Sequence, residues 1–434
     1  DTGNVLISKA ATPGKEKTPI VILQSHLDMV CEKNEDTVFD FQKDPIHPYI
    51  DGVWVKARGT TLGADDGIGI AIQLALLDAT DIPHGPIECL FTVDEETGLT
   101  GAFGLKPGFL EGRILINLDS EDEGRIFIGC AGGRDTVAYL PYSSEPTPRS
   151  MLGYKVTIKG LKGGHSGDDI NKGLGNATKI LNRLLWNASR DFQVRISMID
   201  AGNLRNAIAR EATATIAINL QNEKAFTEYI AQFDQDIKNE LRVTEPDVKI
   251  AAEKVSAPAT LIDGATQEKL LHAVYACPHG VIEMSREIPN FVETSTNLAS
   301  VKTGDKEIVI TTSQRSSVES AKKDVVDMVE SVFQLIGARV EHSAGYPGWK
   351  PNPDSPLLKQ TVDTYRQLFQ AEPKVLAVHA GLECGLIGAT YPGMDMISIG
   401  PTMRGVHSPD EKIEITSVEK CWDLIVALLD KIGS

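Results

Sequence analysis

The chain is 434 residues long, more than one hydrophobic core usually organises, so two domains are expected. Hydrophobic residues make up 41% and charged residues 24%, near globular averages, which excludes a disordered chain. The formal charge of −17, from 60 acidic and 43 basic side chains, excludes a broad phosphate-binding face and hence nucleic acid as a partner.

The six cysteines, at 31, 89, 130, 277, 384 and 421, form no C-x-x-C pair and read as reduced thiols of a cytoplasmic protein. No run approaches the roughly 18 apolar residues of a membrane span, so no membrane partner is expected. The sequence opens at Asp1 without a charged-then-apolar leader; a start inside a longer protein reads the same way.

Pro19 to Gln24 (PIVILQ) is an apolar run ending at Ser25-His26-Leu27-Asp28. Gly67 to Ala79 is long and apolar enough for a crossover helix. Ile87 to Val93 ends at Asp94-Glu95-Glu96-Thr97-Gly98, and Arg113 to Leu118 ends at Asp119-Ser120. Continuous apolar runs of this length suit strands buried on both faces of a parallel sheet. Polar residues closing successive strands meet at the carboxyl edge, where open α/β sheets bind ligands.

After about Arg134 the texture changes. Met151 to Gly160 and Ala212 to Leu220 alternate, as strands with one wet face do, and amphipathic helices follow at Glu223 to Leu241 and Val318 to Ile336. Beyond Tyr346-Pro347-Gly348 the first texture resumes, with a strand at Met394 to Ile399 and a closing helix at Ser417 to Ile432. The expectation is an α/β fold: a mostly parallel sheet flanked by helices, built from residues 1–133 and 345–434, and interrupted by an inserted α+β domain at 134–344.

The strand-end residues are metal-ligand types. In His26-Leu27-Asp28 both side chains are expected on one side of a strand end, His26 on a metal and Asp28 fixing the imidazole through its other nitrogen. Gly63-Ala64-Asp65-Asp66-Gly67 sets a carboxylate where it could bridge two cations, although acids at a helix start also serve capping. Glu95 and Glu96, adjacent on an extended chain, would point opposite ways, one to coordinate and one to face an open coordination position. Asp119 and His407 complete the set. Asp65, Glu96 and Asp119 with one hydroxide would neutralise two divalent cations, which suits hydrolases whose ions, about 3.5–4 Å apart, share a nucleophilic water.

The sequence resembles the co-catalytic zinc peptidases, the family of aminoacyl-histidine dipeptidases, peptidase T, carnosinases and acetylornithine deacetylase. The resemblance runs along essentially the whole chain, on SHLDMV (25–30), RGTTLGADDGIG (58–69), EETG (95–98), INLDSEDEG (116–124), GCAGG (129–133) and GLKGGHSG (160–167). It continues through RNAIAREA (205–212), ETS-x-N (293–297), YPGW (346–349), HAGLECGL (379–386), MDMISIGP (394–401) and GVHSPDE (405–411).

It implies two zinc ions per chain, with Co2+ or Mn2+ as alternatives: His26 and Asp119 on one, Glu96 and His407 on the other, and Asp65 bridging. It also implies Glu95 as general base, Asp28 as support, and the inserted domain as a lid whose His165 stabilises an oxyanion. Asn206, Arg210, Asn297 and Arg315 become candidates for holding the termini of a small peptide. In the family a further segment, including a helix over the sheet, precedes the stretch matching Asp1-Thr2-Gly3-Asn4.

The expected reaction is hydrolysis of dipeptides with a free amino terminus, such as Xaa-His. Removal of an acyl group from an N-acyl amino acid by the same site, and metal-bound binding without turnover, stay open, as does a homodimer.

Overall fold

The structure, a computed structural model, describes residues 2–433. It divides into two compact units, one formed by Asp1–Cys130 with Trp349–Ser434 and the other by Ala131–Gly348.

The first unit is built on a seven-stranded sheet. Four of its inner strands, in spatial order Ile87–Thr92, Val21–His26, Ile114–Asn117 and Asp395–Ser398, are mutually parallel. Val5–Lys9 runs antiparallel along one side. On the other, Arg125–Cys130 runs antiparallel to Asp395–Ser398 and parallel to Lys374–Val378. Every residue of Val21–His26 and Ile87–Thr92 is buried, which is why both read as unbroken apolar runs. Helices Ala64–Asp78, Pro356–Phe369 and Ile415–Lys431 belong to this unit. The second of them starts where Ser355 accepts a hydrogen bond from the Leu358 amide and Pro356 needs no partner for a missing N–H. A small sheet of Pro48–Asp51, Trp54–Ala57, Lys412–Glu414 and Met403–Arg404 was not expected. Its strands are too short and too exposed to carry an apolar pattern.

The second unit holds a nine-stranded sheet paired antiparallel throughout. Helices Ala177–Phe192, Glu223–Glu240, Gly264–Ala276 and Glu319–Leu335 close a core that includes Val156, Ile158, Leu184, Ile216, Phe226 and Phe333. Among the described residues no helix is long and apolar enough to cross a membrane.

Candidate metal centre

The parallel strands of the first unit end together. Val21–His26 finishes on His26, Ile87–Thr92 runs into Asp94-Glu95-Glu96, and Ile114–Asn117 runs into Leu118-Asp119. The Ala64–Asp78 helix starts at the same edge and brings Asp65, and the loop after Met403–Arg404 brings His407. His26 Nε2 lies 3.1 Å from Asp65 Oδ1 and 3.3 Å from Asp119 Oδ1. His407 Nε2 lies 3.1 Å from Asp65 Oδ2 and 3.1 Å from Glu96 Oε2. The two oxygens of Asp65 are therefore divided between two histidines. Asp66 turns elsewhere, its oxygens each 3.2 Å from the amides of His26 and Gly69.

Three overlapping sets of ligand atoms, His26/Asp65/Asp119, Asp65/Glu96/His407 and His26/Glu95/Glu96, each lie within 4.8 Å of one another. Imidazole nitrogens and carboxylate oxygens in such sets are donors suited to zinc and similar divalent ions. Glu96 Oε1 is buried without a hydrogen-bond partner among the described residues, an orphaned acceptor that a cation would satisfy. The residues fit a pair of cations.

The electrostatics agree with that chemistry. Burial alone would lower the His26 pKa, but hydrogen bonds and charge from Asp119 and Asp65 drive it far up. Asp65 and Glu96 push His407 up to about 10. Burial opposes ionisation of Asp65, yet His26 and His407 hold it well below the carboxylate range. Desolvation and the charges of Asp65 and Asp66 push Asp119 well up, against the hydrogen bond and charge of His26. Lone pairs that hold protons this firmly are ones a divalent cation can take over. Glu95 is raised to about 7 by burial, with the charges of Glu383, Glu96 and Asp65 adding to it against His26.

Two local expectations are corrected. Glu95 and Glu96 do not lie on extended chain; they open a short helix, Glu95–Gly98, so their separation comes from helical geometry. The other nitrogen of His26, Nδ1, meets the backbone carbonyl of Asp28 at 3.0 Å, while the Asp28 carboxylate is 3.6 Å away. That carboxylate instead accepts the amides of Glu95 and Glu96, each at 3.0 Å. The chain turns after His26, so the strand rule that would align the two side chains stops applying.

Sequence reasoning missed Glu411 and Glu383. Glu411 is buried and accepts backbone amides of the Asp65 loop. Glu383 is buried beneath the site, bonded to Gln24 at 2.5 Å and Thr92 at 2.8 Å. Both stand inside blocks that carry the family resemblance, and that was their one available signal. Gly63, at φ 72°, is required where it stands: a Cβ there would meet Met29 Sδ at 2.8 Å.

In the second unit His165, Asn206 and Arg210 line one cavity of about 800 Å³. His165 Nδ1 is 3.3 Å from the amides of Gly167 and Asp168, an accepting position that leaves the ring proton on Nε2. Burial and the charge of Arg315 lower its pKa, favouring the neutral ring. Asn297 is buried and donates to the carbonyls of Arg205 and Ala207, and Arg315 is buried against the Tyr346 hydroxyl at 2.9 Å. Neither of these two is in the cavity wall.

The comparisons with known proteins agree with one another. The chain is 46% identical over 430 residues to the cytosol non-specific dipeptidase of Escherichia coli (strain K12), spanning 99% of this chain and 89% of that one. The crystal structure of aminoacylhistidine dipeptidase from Vibrio alginolyticus matches with a TM-score of 0.94 at 46% identity, over 99% of this chain and 88% of the other. Aminopeptidase PepT from Bacillus cereus shares the fold, with a TM-score of 0.60 at 18% identity over 100% and 85% of the two chains. The family model described as peptidase family M20/M25/M40 matches residues 22–431, and the chain belongs to that family.

Proposed function

We propose that this protein is a two-cation dipeptidase acting on dipeptides with a free amino terminus. The observation that carries the two-cation part is the division of Asp65 between His26 and His407, each at 3.1 Å. The substrate class rests on the relatives, which are named as dipeptidases at 46% identity. In this reading His26 and Asp119 would hold one cation, zinc by expectation, Glu96 and His407 the other, and Asp65 would serve both. The chemistry two divalent cations supply there is Lewis acidity, which polarises the scissile carbonyl and makes water easier to deprotonate.

Glu95 is the base. Beside two cations its carboxylate is favoured in the ionised form, which accepts a proton from the attacking water and returns it to the leaving amine. Asp28 holds the first turn that carries Glu95 and Glu96. His165, with its proton on Nε2, is assigned the oxyanion, and the unit that carries it is assigned the role of a lid. Asn206 and Arg210, beside it in the cavity wall, are assigned the peptide's termini, together with Asn297 and Arg315. We further assign the protein to the cytoplasm, in line with its six cysteines, none of them in a disulfide, and the naming of its E. coli relative.

The test is product analysis of the zinc-loaded protein against a dipeptide panel that includes Xaa-His, run beside N-acetyl amino acids. Dipeptide cleavage that disappears on chelation and returns with zinc is expected. Preferential release of acyl groups would make the protein a deacylase, and a zinc-loaded but inert protein would make it a binder.

A further inference from the structure

We propose that Glu411 is a positioning residue that joins the Asp65 loop to the His407 loop and holds both ligands in register for a cation pair. The inference rests on the two-cation reading above. The Glu411 side chain is 3% exposed. Its Oε2 accepts the amides of Leu62 at 2.7 Å and Gly63 at 3.0 Å, and its Oε1 those of Ala64 at 2.7 Å and Asp65 at 3.3 Å. Successive amides converging on one anion form a nest, a geometry that fixes the backbone it is made from. The last of those amides belongs to Asp65 itself, so the backbone that aims the Asp65 oxygens is set by Glu411.

The other end of the connection is equally short. The Glu411 amide donates to the Ser408 carbonyl at 3.0 Å, and the Ser408 hydroxyl donates to the Gly405 carbonyl at 2.6 Å. Between them His407 takes a left-handed φ of 62°, which presents its ring from a closed turn. Asp65 and Glu411 are 346 residues apart in sequence, and one buried carboxylate joins their loops. Because Asp65 meets both histidines, loosening the nest weakens both cation positions together.

Replacing Glu411 by Gln tests this with little change of shape. An amide NH2 in place of one carboxylate oxygen would face two backbone N–H groups, and the charge that gathers the nest would be gone. Co2+ is titrated into chelated wild type and Glu411→Gln, with uptake read by the visible absorption of the bound ion and folding by far-UV circular dichroism and chelated-state melting. Wild type is expected to take up two Co2+ per chain. The folded variant is expected to bind both about 10–100-fold more weakly, the usual effect of losing a group that orients a metal ligand.

A merely structural Glu411 would lower the melting temperature of the chelated protein and leave Co2+ affinity within about twofold, and that result overturns the inference while the two-cation reading stands. Wild type that takes up no Co2+ overturns both. If Glu411→Gln does not fold, Glu411→Asp, which keeps the charge but falls one methylene short of the nest, is held to the same criterion.

Discussion

Replacing Asp28 by Ala separates two accounts of what this carboxylate does. Its oxygens accept the amides of Glu95 and Glu96, each at 3.0 Å, at the first turn of the Glu95–Gly98 helix. That helix has Asp94 at its N-cap in a left-handed conformation with no side-chain cap of its own, so Asp28 caps it from another segment. A hydrogen bond to a charged acceptor contributes about 1.5–3 kcal/mol. The Asp28 side chain is 28% exposed, so water replaces part of what is lost. A net loss of about 2–3 kcal/mol in holding the two glutamates follows for the pair, equivalent to on the order of 10²-fold in rate.

We therefore expect Asp28→Ala to lower kcat about 10²-fold on a good dipeptide with KM little changed. Anomalous scattering from zinc-loaded crystals of the variant should show the loss at the position beside Glu96 and His407. The alternative, in which the carboxylate acts on the His26 ring, predicts loss beside His26 and Asp119 instead. The carbonyl of residue 28, which meets His26 Nδ1 at 3.0 Å, survives the substitution. Reduced occupancy beside His26 alone, or kcat within threefold of wild type, would refute the capping argument.

Glu95→Gln should keep both cations and lose nearly all turnover; loss of one ion, measured by plasma emission, would mean that Glu95 and Glu96 have exchanged roles. Asp65→Ala should lose both ions together, and retention of one at full affinity contradicts bridging. His165→Ala should cut kcat on the order of 10²–10³-fold with a smaller change in KM, since an oxyanion donor acts only in the transition state; near-normal kinetics at unchanged zinc content would remove that role. The pH prediction concerns the chelated protein. His407 is raised from 6.5 to about 10 by Asp65 and Glu96, so its contribution to stability is full below pH 6.5 and is lost as pH rises through about 10. Melting temperature should fall across that window, less steeply in His407→Ala and in the zinc-loaded protein; equal slopes in all three would show that the proton on His407 contributes nothing.

What the sequence disclosed was whatever lies along a single segment. Val21–His26 and Ile87–Thr92 are buried on both faces, so composition alone marks them as inner strands, and their ends mark the edge where His26 and Glu95–Glu96 stand. What it hid depends on partners far away in the chain. Glu411 sits in an acidic, Pro-containing loop that reads as solvent-facing, and only the amides of residues 62–65 explain its burial. Asp28 was given to the nearest imidazole because the short helix that claims its oxygens covers only residues 95–98 and has no periodicity to detect. Asn297 was a candidate only through the family resemblance; its NH2 donates to two backbone carbonyls far away in the chain, while its Oδ1 is buried without a partner among the described residues.

The placement of Asp395–Ser398 bears on how the protein can be made. This strand lies between Ile114–Asn117 and Arg125–Cys130, in the middle of the first unit's sheet, yet it is the last of the seven strands to leave the ribosome. Until it arrives, the nascent sheet is two pieces with unpaired edges facing one another, and His407 has not been synthesised. The second unit, continuous from Ala131 to Gly348, has its own core and can fold during that interval. A nascent chain stalled before Asp395, with Ala131–Gly348 already outside the ribosome, should thus display a protease-resistant second unit and a protease-sensitive first one that takes up no cation pair. Such a chain would also expose strand edges that invite association with other chains. The order of synthesis thereby keeps the His26, Asp65, Glu96, Asp119 and His407 cluster from assembling before the chain has passed His407.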